Sequence, residues 1–156
     1  MLLRVLSAAV LTVSFLLVAA APGAAHDAGR VAQWQTFFGQ VLPYVADDFK
    51  GIRGSAETGD VDDSVYSVTA SLDDTLVKSC NINFNIFWRL DCDEVPAYTG
   101  SDATSLAADI SAALPSGFAR NHKVTSAMQW DRGATVVLLM YTFDTDSWGL
   151  SVGNNP

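Results

Sequence analysis

The residues best suited to chemistry in this chain are two cysteines, two histidines and several clusters of aspartate. Cys80 and Cys92 lie twelve positions apart with no CxxC between them, a poor redox motif and at most half of a zinc site. An even cysteine count in a chain that leaves the cytoplasm points instead to one structural disulfide. Of the histidines, His26 sits beside an apolar N-terminal segment, and His122 stands in Arg120-Asn121-His122-Lys123, ahead of a predicted strand. A catalytic triad would need an activated nucleophile near His122. No G-x-S-x-G pattern supplies one, so His122 reads as a surface loop residue.

The acids gather at Asp60/Asp62/Asp63, Asp91/Asp93/Glu94 and Asp144/Asp146. Hard oxygens in a flexible loop suit calcium. Asp144-Thr145-Asp146-Ser147-Trp148-Gly149 opens like an EF-hand loop, but Trp148 and Asn155 stand where the fifth and twelfth ligands belong. Asp60, Asp62 and Asp63 beside Gly59 form the better candidate, though three carboxylates fall short of six to eight ligands. Paired carboxylates could also act as acid and base on a glycoside, but nothing in the sequence fixes their separation. No cofactor is implied.

Recognition has its own candidates. Trp34 and Trp88 fall on apolar faces, whereas Trp130 beside a turn and Trp148 near the C-terminus are expected to be exposed. Arg53, between Gly51 and Gly54 in a small basic island, suits an anion or a carboxylate-bearing partner. The island equally serves to neutralise Asp47 and Asp48.

The elements that must position these residues follow from periodicity. Val31, Trp34, Phe37, Phe38, Val41, Leu42 and Val45 line one helical face, with Pro43 ending or kinking the helix near Leu42. Residues 50–63 read as a loop. Residues 64–72 and about 76–84 read as strands. Residues 101–114 read as a capped helix with Leu106, Ala107, Ile110, Ala113 and Leu114 inward, stopped by Pro115-Ser116-Gly117. Residues 123–130 and 134–143 are two more strands joined at Asp131-Arg132-Gly133. The run Val136 to Met140 lacks alternation, so that strand is expected to be covered on both faces. From about residue 144 the chain reads as a loosely held tail.

In Cys80–Cys92, apolar residues occupy every second position. A single strand would part the sulfurs by about 40 Å, beyond disulfide reach. A hairpin centred on Ile86 instead sets Cys80 against Cys92, Ile82 against Leu90 and Phe84 against Trp88, with Asn85 suited to a left-handed turn position. The fold is therefore expected to be an α+β two-layer sandwich: an antiparallel sheet of about five strands, in the order helix-β-β-β-helix-β-β, packed against two helices. That order resembles small secretion-chaperone folds in topology alone.

Arg4, the apolar run Val5–Ala21 and the small residues Gly23-Ala24-Ala25 match a signal peptide over residues 1–25, leaving one domain over 26–156. The expected location is secreted or periplasmic, with no membrane attachment after cleavage. Without Arg4, eight basic residues face 17 acidic ones, a net charge of −9 against −8 for the whole chain. That sign argues against nucleic acid as a partner. The reading is a small, acidic exported domain that binds an unidentified protein or small molecule. The alternative is a small exported hydrolase using loop carboxylates.

Overall fold

A computed structural model describes residues 27–58, 64–122 and 127–154. Helix α1 (Ala28–Val45) starts where Asp27 accepts hydrogen bonds from the backbone N–H groups of Gly29 (2.9 Å) and Arg30 (3.2 Å). Its buried face is Trp34, Phe37, Phe38, Val41 and Val45. Contrary to expectation, Pro43 lies inside the helix. So near the C-terminus the missing N–H forfeits only one late hydrogen bond, and two further residues complete the turn. Left-handed Asp48 and Phe49 then reverse the chain and drive Phe49 fully into the core.

The strands are β1 (Arg53–Thr58), β2 (Ser64–Val68), β3 (Lys78–Asn85), β4 (Phe87–Glu94), β5 (Ala119–Arg120), β6 (Met128–Arg132), β7 (Thr135–Thr142) and β8 (Ser147–Asn154). They form one antiparallel sheet in the order β1-β2-β3-β4-β8-β7-β6-β5. Helix α2 (Ala103–Ala113) carries the chain from β4 to the far edge, and β5 to β8 return strand by strand to the centre. A capping box precedes α2: the Asp102 carboxylate accepts from the Thr99 backbone N–H (2.8 Å) and hydroxyl (2.9 Å).

The α+β class, the two helices and the antiparallel sheet agree with the sequence reading. The strand count does not, because β1, β5 and β8 join the expected five. β1 hides in a glycine-rich loop sequence since an edge strand with Ser55, Ala56 and Glu57 exposed needs no apolar alternation. β5 is only two residues long.

The third addition overturns the loose tail. β8 pairs with β4 and β7 and buries Trp148, Leu150 and Val152. Its other positions are Ser147, Gly149, Ser151 and Gly153, so half of its alternation carries no hydrophobic signal. Gly153 is required by close approach: a Cβ there would lie 2.8 Å from the Trp88 carbonyl oxygen and 2.8 Å from Arg89 Cβ.

The hairpin register is the one expected, Cys80↔Cys92, Ile82↔Leu90 and Phe84↔Trp88, with the Cys80–Cys92 disulfide formed. The turn differs. Asn85 pairs with Phe87, and Ile86 between them takes the left-handed conformation at φ 71°. All nine residues expected to form the core are buried: Phe37, Phe38, Val41, Ile82, Leu90, Leu106, Ile110, Val137 and Leu139.

Candidate functional site: the open face of the sheet

One face of the sheet is sealed by the helices and the other is not covered by any element among the described residues. Strand geometry places alternate residues on that open face. β8 contributes Gly149, Ser151 and Gly153, so the middle of the face is a shallow trough. β7 borders it with Val136, Leu138 and Met140. β4 borders it on the other side with Phe87, Arg89 and Asp91. Two adjoining hollows of about 150 and 380 Å³ share Arg89, Leu138 and Ser151.

The polar groups at its borders are already organised. Asp91 Oδ2 accepts from Arg89 Nε (2.8 Å) and from Asn83 Nδ2 (2.8 Å). Asp131 accepts from Gln129 Nε2 (2.6 Å) and Asn121 Nδ2 (2.8 Å). Held this way, the side chains present fixed donors and acceptors around an apolar row. Met140 is 48% exposed, while Val136 and Leu138 are half-buried. The run from Val136 to Met140 therefore has a covered side, Val137 and Leu139, and an apolar side facing out. The expectation that both faces would be covered is corrected: the absent alternation reflects an apolar row on an open face.

Another depression, of about 340 Å³, lies between α1 and residues 71–73, where Gln33 Nε2 donates to Asp73 at 3.1 Å. Its walls mix Ala32, Phe37 and Leu72 with the amides of Gln33 and Gln40, the hydroxyls of Thr36 and Ser71 and the Asp73 carboxylate.

The sequence-based candidates are placed elsewhere. Trp130 and Trp148 are core residues, 2% and 7% exposed, which corrects their expected exposure. Trp130 occupies an inward position opposite Val137, and its Nε1–H donates to Ser111 Oγ at 2.9 Å. Trp148 packs on Tyr141 and donates to the Thr99 carbonyl at 2.8 Å. A satisfied indole N–H lets each ring sit inside at little cost. Arg53 lies on the helix side of the sheet, its guanidinium 4.1 Å from the Trp88 ring centre and 5.0 Å from that of Tyr66. There its charge lies against two ring faces. It is Lys50 that meets Asp47, at 3.1 Å and well exposed, a pair of little energetic consequence.

Asp60, Asp62, Asp63 and His26 lie outside the described residues. Among the described residues no group of three or more His, Cys, Asp or Glu is arranged to hold a metal. Asp146, left-handed at φ 47°, accepts from the Gly100 N–H (3.1 Å) and the Tyr141 hydroxyl. His122 is exposed in the turn after β5.

One buried polar network sits between the helices. Trp34 Nε1 donates to the Tyr98 hydroxyl (3.3 Å), which donates to Asp109 Oδ2 (2.8 Å). Burial, then the Asp109 carboxylate, raises the Tyr98 phenol above its ordinary range. The phenol therefore stays protonated as the donor to Asp109.

No family description, curated protein or solved structure matches this chain.

Proposed function

We propose that this chain is a small exported binding domain that holds an extended segment of a partner protein against the open face of its sheet. The apolar row Val136, Leu138 and Met140 beside the Gly149–Ser151–Gly153 trough carries this reading. Uncovered sheet faces ordinarily alternate to polar residues. An apolar row rimmed by organised polar groups is the form of a protein contact surface. The export component is supported by the signal-like residues 1–25 and by the Cys80–Cys92 disulfide. No helix among the described residues is long and apolar enough to cross a membrane.

The test is selection of a random-peptide display library on the domain lacking residues 1–25. Selected peptides should shift the backbone NMR signals of Leu138, Met140 and Ser151. Ser151→Arg, which fills the trough, and Leu138→Asp should each weaken binding at least tenfold while the unfolding transition stays cooperative. Peptides that bind both variants as tightly as the parent would place the contact elsewhere. Turnover in a hydrolase-substrate screen, abolished by replacing Asp91 or Asp93 in a folded variant, would favour the enzyme reading instead. Intact-mass analysis of exported material should give an N-terminus at His26.

A further inference from the structure

Two neighbouring strands of the open face are complementary to each other. β7 raises Val136, Leu138 and Met140 as a ridge, and β8 beside it sinks to Gly153, Ser151 and Gly149. The register matches them one to one: Val136↔Gly153, Leu138↔Ser151 and Met140↔Gly149. A two-fold interface must fit its own copy. A ridge and a trough of equal repeat, side by side on one surface, meet that demand.

The strand order fixes where the axis would run. A two-fold axis parallel to the strands, above the line between β7 and β8, lays the ridge of each copy in the trough of the other. An axis across the strands would set ridge on ridge. Rotation about the first axis permits no slip along it, so residues keep their level on the strands. The order β4-β8-β7-β6 then lays β4 of one copy over β6 of the other. Arg89 shares a level with Gly153, Val136 and Asp131, and Asp91 shares one with Ser151, Leu138 and Gln129. Arg89 therefore faces the second copy's Asp131, and Asp91 faces its Gln129, in both halves of the pair. Arg89 commits its Nε to Asp91 and keeps 40% of its side chain exposed, which leaves the outer guanidinium nitrogens for the opposite carboxylate. Sheets stacked about 10 Å apart bring side chains of this length together.

We infer that a second copy of this chain covers the open face in a two-fold dimer, so that self-association and the binding of a segment compete. The inference rests on the reading of this face as a contact surface and names how it is regulated. Strands β4, β8, β7 and β6 span about 19 Å by 27 Å, or about 500 Å² in plan from each copy. A total of about 1,000 Å² lies at the low end for specific interfaces, so the dimer exchanges readily.

Sedimentation equilibrium of the protein recovered after export should show a reversible dimer with a dissociation constant of about 10–100 µM. In dimers mixed from isotopically labelled and unlabelled copies, NMR should show contacts between Leu138 of one copy and Ser151 of the other. Ser151→Arg and Arg89→Asp should each weaken the dimer at least tenfold while the unfolding transition stays cooperative. Arg89→Asp/Asp131→Arg should recover most of the loss seen for Arg89→Asp. Peptides selected on the open face should lower the average mass. A parent that stays monomeric at ten times the expected dissociation constant would overturn the dimer, even if it binds those peptides. So would a dimer without the Leu138–Ser151 contacts, one indifferent to Ser151→Arg, or a double variant no tighter than Arg89→Asp. A dimer that has the contacts but takes up no peptide would keep the second copy as occupant and overturn the segment reading instead.

Discussion

The position of β8 makes a demand that a loose tail does not. Trp148, Leu150 and Val152 point into the core at 7%, 2% and 0% exposure, while Ser147 and Ser151 point to the other face. Leu150 is the most informative site. It stands opposite Cys92 on one side and Leu139 on the other, 2% and 0% exposed respectively. Cys92 is fixed by its disulfide, so the walls around a truncated side chain have little room to collapse. Leu150→Ala should therefore cost about 3–5 kcal/mol, the upper part of the range for such substitutions. Ser151→Ala, one residue away on the open face, should stay within about 0.5 kcal/mol. Val152→Ala should again be costly, at about 1–3 kcal/mol for fewer lost methyl groups. Urea unfolding monitored by tryptophan fluorescence measures all three, with stability taken from midpoint and slope together. The alternation is the signature. Equal small effects at 150, 151 and 152, each below about 0.5 kcal/mol, would refute the central strand. So would a variant ending at Asp146 that keeps a cooperative transition near the parent midpoint.

Three further outcomes are expected. Cys92→Ala should lower stability by about 2–5 kcal/mol, measured by the same titration, since the cross-link is lost from a core strand. Tyr98→Phe should cost about 1–3 kcal/mol by removing the hydroxyl that accepts from Trp34 and donates to Asp109 at a buried site. Asp73 and Asp102 ionise below the usual carboxylate range, chiefly because Thr75 and Thr99 donate hydrogen bonds to them. Their depressed folded values mean that the stability they contribute is fully present above the unfolded value of about 3.9 and is lost as pH falls through the folded values. Urea midpoints between pH 2 and 6 should therefore fall on the acid side, and less steeply in the Asp73→Asn/Asp102→Asn double variant.

What the sequence carried was the periodic and the local. Helical spacing identified the buried faces of α1 and α2, and alternation with the cysteine constraint fixed the β3–β4 register. Gly133 at φ 60° takes the turn position its sequence suggested. What it hid depends on non-local contacts. Trp130 and Trp148 look like free surface aromatics until their strand positions turn them inward and the Ser111 hydroxyl and the Thr99 carbonyl satisfy their indole N–H groups. β8 hid because glycine and serine occupy its outward positions, and β1 because an edge strand needs little hydrophobicity. The open-face row was visible as the unbroken run Val136–Met140, but only the topology shows which side is left uncovered.

The β4–β8 seam also dictates the order in which this molecule can become whole. Leu90 and Val152 meet across it although sixty-two positions separate them, so the join is among the most non-local in the sheet. The hairpin of residues 80–92 can zip and oxidise on its own, and β6 to β8 can meander into place locally. The two half-sheets, however, cannot merge until the last strand in chain order is available. Such late, long-range closure slows folding relative to locally connected folds. Under the export proposed above, in which the chain crosses a membrane N-terminus first, the delay would be useful, because the body would stay pliable until its final strand emerges. The corresponding hazard is the bare flank of β4 during that interval, a template for pairing with a neighbouring chain.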